Sequence, residues 1–123
     1  MATNSGRFNT VSLIADEALT AHSFVTLSAD GQAAYAAADG DDVIGVTLAA
    51  AAAGKPVAVQ FDGIALVEAA EAIAAGSSVA SDTAGLAIDA ASGEARVGYY
   101  LGSAAAADGD IISVLLKPAA ADA

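Results

Sequence analysis

Few side chains in this sequence could do chemistry, and their neighbours limit each of them. His22, the only histidine, stands beside Ser23. A serine nucleophile needs a histidine and a carboxylate converging on it, with donors for the oxyanion. No G-x-S-x-G elbow accompanies this pair, so no catalytic role is assigned to it. Asp39-Gly40-Asp41-Asp42 and Asp108-Gly109-Asp110 offer the oxygen ligands that Ca2+ prefers. A calcium loop starting at Asp39 would need glycine sixth and glutamate twelfth, where Ile44 and Ala50 stand. Asp and Gly also gather in tight turns for backbone reasons alone, and that reading is preferred. Lys55 sits in a turn, Ala53-Gly54-Lys55-Pro56. A lipoyl or biotinyl carrier domain has a lysine at such a hairpin, but in an M-K-M or D-K-A setting, so a solvated turn lysine is expected. The chain has no cysteine, which excludes disulfides and thiolate metal sites. Its glycines spell no phosphate-binding loop. No enzyme activity, metal or cofactor is expected.

The elements that carry these residues are written twice. Set above each other about 54 positions apart, Glu17-Ala18-Leu19 meets Glu71-Ala72-Ile73, Val25 meets Val79, Gly31 meets Gly85 and Ala33 meets Ala87. Val43–Leu48 meets Arg96–Leu101 with a one-residue slip, and Gly54–Val59 meets Gly109–Val114. His22 falls opposite Gly76, and Phe24 opposite Ser78. Strands are expected at Ser23–Ser28, Ala33–Ala36, Val43–Leu48 and Val57–Phe61, then at Ile64–Val67, Leu86–Asp89, Arg96–Leu101 and Asp110–Leu116. Pro56 is placed at a strand start, where a missing N–H is tolerated. Val67–Ala75 reads by propensity as a helix stopped by Gly76. So short a helix with little to dock is marginal, and a strand running into a loop is preferred. The alanine runs are compatible with single helical turns. Adjacent Tyr99 and Tyr100 should face opposite sides of a strand, one in the core and one a candidate contact residue.

The fold class expected is all-β, a small β-barrel or sandwich built from two tandem pseudo-symmetric repeats, about 12–62 and 66–117. Both fall in a single domain over 10–118, with a flexible arm at 1–9 and a frayed tail at 119–123. Alanine supplies more than half of the 56% hydrophobic residues, and there is no Trp, so the core is thin. Thin cores call for a staple, and without cysteine the option left is oligomerisation. Fifteen acidic residues against four basic ones give a formal charge of -11. Arg7, Lys55, Arg96 and Lys117 are scattered, which argues against nucleic acid and against anionic membrane surfaces. No signal peptide or spanning run is evident, and synthesis in a cytoplasm is expected.

Val43–Gly63 (VIGVTLAAAAAGKPVAVQFDG), Glu71–Asp82 (EAIAAGSSVASD) and Val97–Leu116 (VGYYLGSAAAADGDIISVLL) together carry a resemblance. They are similar to the capsid decoration, or cement, proteins of tailed bacteriophages. The resemblance covers about Val11 to Leu116 and implies a β domain on the outer capsid surface of the virion. It implies a homotrimer, with the major capsid protein as partner and a role in clamping its subunits. It also implies an N-terminal arm docking on the capsid, carried onto Ala2, Thr3, Asn4, Ser5, Gly6, Arg7 and Phe8. The competing reading is an exposed receptor- or glycan-binding head or surface module, against which the scarcity of aromatic platforms counts.

Overall fold

A computed structural model describes residues 10–38, 40–90 and 95–119, without the side chains of 117–119. Ten strands and no helix occur among them: β1 (Thr10–Ile14), β2 (Phe24–Leu27), β3 (Ala33–Ala34), β4 (Gly45–Thr47), β5 (Pro56–Gln60), β6 (Ile64–Glu68), β7 (Ser78–Ser81), β8 (Ala87–Asp89), β9 (Arg96–Tyr100) and β10 (Ile111–Ala119). They form two five-stranded sheets, ordered β1-β5-β4-β2-β3 and β6-β10-β9-β7-β8. All named strand pairs are antiparallel. The class is all-β, as the strand and turn signals require.

The second order is the first with five added to each strand, and the pairing agrees at the positions the two sheets share. Phe24 lies opposite Val46, and Ser78 opposite Tyr99. Parallel bridges join Ala15 to Ala33 and Ala69 to Ala87, and antiparallel ones join Leu19 to Ala51 and Ile73 to Ala106. Glu17 Oε2 accepts from the Tyr35 N–H, and Glu71 Oε2 from the Asp89 N–H, both at 3.0 Å. His22 has φ 60° and Gly76 φ 76°, so the unlike pair His22/Gly76 adopts one left-handed turn. Gly45 and Gly98 share a different demand. A Cβ on either would run into the carbonyl of the neighbouring strand, at Gln60 and Leu115 respectively.

Expected strand positions hold for eight strands, and β5 does begin at Pro56. The strands not foreseen are β1, a short run whose pairing comes wholly from distant β5, and β7, which lies between β9 and β8. Val67–Ala75 is not helical: β6 ends at Glu68, and buried Ala69 and Ile73 bridge to other segments. Helix propensity is a weak prior that such contacts override. The alanine runs are not helical turns either, since Ala51 exchanges backbone bonds of 2.8 and 2.9 Å with Leu19.

Two apolar clusters hold the sheets. Ala15, Leu19, Val25, Ala33, Val57 and Val59 line the inner side of the first sheet. Their counterparts Ala69, Ile73, Val79, Ala87, Ile112 and Val114 belong to a larger cluster that also takes in Phe24, Val43 and Val46 from the first sheet. The two sheets are therefore joined by side chains that point away from the first sheet's own core.

Candidate functional site

Two of the aspartates that drew attention in the sequence, Asp41 and Asp110, bond to backbone. Asp41 Oδ2 accepts from the N–H groups of Ala37 and Ala38 at 3.0 and 3.1 Å. Asp110 Oδ2 accepts from Ala107 N–H at 2.9 Å, and Asp82 Oδ1 from Ala84 and Leu86. These carboxylates close turns by the side-chain-to-backbone bonding typical of aspartate. Asp39, the first residue of one acidic turn, lies outside the described residues. No group of three or more metal-ligating side chains occurs among the described residues.

His22 is half-buried, and its backbone rather than its ring is engaged. Its N–H donates to Thr47 O, and its carbonyl accepts from Glu68 N–H across the sheet boundary at 3.1 Å. Ser23 Oγ is 2.8 Å from Thr20 Oγ1. Thr47 Oγ1 donates to Thr20 O and accepts from Ser23 N–H, so this patch is a structural network, which exposed Thr20 extends to the Tyr35 hydroxyl. Lys55 is exposed in its turn. A cleft bounded by Tyr100–Gly102 and Asp110–Ser113 has Asp110 as its one carboxylate, and that carboxylate already holds Ala107.

Tyr99 and Tyr100 do face opposite sides. Tyr100 is buried and donates to Ala104 O at 2.7 Å. Tyr99 is half-buried on the outer side, with the Arg96 guanidinium 4.8 Å from its ring centroid, a cation–π distance.

What stands out is exposed apolar surface. Ile64 (54% exposed) lies opposite Leu115, which lies opposite Tyr99; Leu66 (48%) lies opposite Ser113, and Glu68 opposite Ile111 (49%). Leu101, 47% exposed, donates its N–H to Ser113 O. By the pleat these residues share the outer side of the second sheet. Val11, Leu27 and Phe61, all exposed, and half-buried Ile44 form a second row across one end of the first sheet. Sequence reasoning reached the first surface only at Tyr99 and missed the second. The signal was present in Ile64–Val67 and Ile111–Leu116, whose nearly unbroken apolar runs mark strands covered on both sides. The arm residues Ala2, Thr3, Asn4, Ser5, Gly6, Arg7 and Phe8 lie outside the described residues, as does the tail from 120.

A protein-family model described as phage cement protein matches residues 4–117. No curated protein sequence matches the chain. Among solved structures, the N base of the head fibre gp8.5 of bacteriophage phi29 superposes with a TM-score of 0.72 at 16% identity. The alignment covers 89% of this chain and 94% of that one. At that identity the likeness is one of fold.

Proposed function

Because the chain belongs to the phage cement protein family, and is thus a structural protein of the phage head, we propose that it binds the outer surface of that head and bridges major capsid protein subunits. The observation that carries this reading is the family match over nearly the whole chain, on a fold whose turn carboxylates are spent on backbone while large apolar side chains are displayed. In this reading the chain is made in the host cytoplasm and acts as a homotrimer without catalysis. Single contacts are small, but a trimer engages several at once, and tethering raises the effective concentration of each further contact. The charge of -11 keeps crowded copies soluble and is repelled by packaged DNA. The likeness to the base of a head fibre supports an attachment module over a distal receptor- or glycan-binding one. Residues 10–118 form one domain in this reading, since one cluster takes side chains from both sheets. The matched bonding of the sheets supports descent from a single duplicated unit.

The test is addition of the purified protein to expanded heads that lack it. Head melting temperature should rise, and a chain without Ala2–Phe8 should keep its own melting temperature while losing head affinity. Unchanged head stability on saturation would refute the bridging role.

A further inference from the structure

Within the chain, the two sheets meet through unlike faces. The contributing face of the first sheet is Phe24, Val43, Val46 and Gln60, all buried. Opposite it, in the second sheet, is the end row Ala65, Leu116, Val97 and Ser81, also buried. Phe24, Val43 and Val46 share one cluster with Ala65, Val97 and Leu116. Backbone bonds cross the same seam, Phe24 N–H to Gly85 O at 2.7 Å and Gly40 N–H to Ser81 O at 2.9 Å.

Each partner in this contact has a counterpart that is not covered. The second sheet's equivalents of Phe24, Val43, Val46 and Gln60 are Ser78, Arg96, Tyr99 and Leu115, all only half-buried. The first sheet's equivalents of Ala65, Leu116, Val97 and Ser81 are Val11 (39% exposed), Phe61 (46%), half-buried Ile44 and Leu27 (53%). Among the described residues, one face of each kind is thus less deeply buried than its counterpart. Size is exchanged at one position of the face, whereas Arg96 and Tyr99 are larger than Val43 and Val46. Where the covered face carries bulky Phe24 against a row with small Ala65 and Ser81, the free face carries small Ser78 and the free row bulky Val11 and Leu27.

We infer that a second copy of this chain docks its Val11/Leu27/Ile44/Phe61 row onto the Ser78/Arg96/Tyr99/Leu115 face, repeating between chains the contact that joins the two sheets within one. Such a contact is heterologous, and successive copies close into a ring when the rotation permits. The repetition lies in the side chains. Strand β8 is longer than β3, and Ala90 N–H donates to Ser78 O, so chain of the same molecule runs beside Ser78 and the inferred contact uses no backbone bond like that of Phe24 N–H. Burying these apolar side chains supplies the driving force. The inference deepens the trimer of the proposed function and rests on that self-association.

The absence of cysteine gives a direct test. Phe61→Cys and Tyr99→Cys chains, co-expressed and treated with a short bifunctional thiol reagent, should yield linked dimers, and neither alone should. Linkage within either single preparation, which requires like faces to meet, or none in the pair, overturns the head-to-tail contact. By light scattering, Phe61→Glu and Tyr99→Glu should each weaken association at least about 30-fold with an unchanged circular dichroism spectrum. Leu27→Glu, at a more exposed position, is the second variant for the row. A wild-type chain that scatters as a monomer overturns the trimer and this contact together. A wild-type oligomer that survives all three substitutions overturns only the assignment of faces.

Discussion

Phe24→Ala tests how the two sheets are held together. Phe24 is fully buried, and its cluster is otherwise drawn almost entirely from the second sheet, with only Val43 and Val46 beside it from the first. Truncating a buried phenylalanine costs about 3–5 kcal/mol through lost transfer energy and the cavity left behind. The cluster around it is largely valines and alanines with Leu116 from the facing row, most of them fixed by strand pairing, which limits collapse into the gap. Unfolding entropy of ~2.1 cal/mol/K per residue over 123 residues gives about 0.26 kcal/mol/K, so each kcal/mol moves Tm by about 4 °C. A fall of about 12–20 °C is therefore expected. Calorimetry at one fixed protein concentration measures it, because association shifts Tm with concentration. Ile14→Ala is the control: it removes an exposed side chain of the first sheet that lies outside the docking row and should cost below about 0.5 kcal/mol as a surface change. A Phe24→Ala fall under about 4 °C, or an equal fall for Ile14→Ala, would refute the seam.

The remaining predictions concern the matched positions. His22→Gly should raise stability by about 0.5–1 kcal/mol, because relief of the left-handed backbone outweighs the entropy of glycine; a lowered Tm would contradict it. Gly98→Ala should cost about 3 kcal/mol, since its methyl meets the Leu115 carbonyl and the Val114 side chain, and an unshifted urea midpoint would show the approach to be tolerated. Glu17→Ala and Glu71→Ala should each cost about 1 kcal/mol through the lost bond to Tyr35 or Asp89 N–H. Their urea midpoints should agree closely, and a large inequality would show that the two caps do not serve equivalent roles.

Local geometry was legible wherever one residue type decides it. Gly31, Gly54, Gly85 and Gly109 have positive φ, which glycine adopts without steric cost, and the repeat in the sequence pairs Gly31 with Gly85 and Gly54 with Gly109. The acidic turns were legible for the same reason, because an aspartate bonds to backbone only a few residues away. Strand β1 was not. Val11 and Leu13 gain strand geometry from Val59 and Val57, more than forty positions distant, and no local pattern records that pairing. The candidate surfaces were legible only as unbroken apolar runs, which call for cover on both sides but do not say by what.

By itself the sequence determined that the chain is all-β, where its turns fall, and that segments about 54 residues apart answer to one another. Only the tertiary structure decided how those segments meet. Val46 and Tyr99 hold the same place in their sheets, yet Val46 is buried and Tyr99 is not. The physical reason is that a turn is set by the steric limits of its own residues. Burial is a property of a pair of surfaces, and two like units packed through unlike faces must leave one face of each kind exposed.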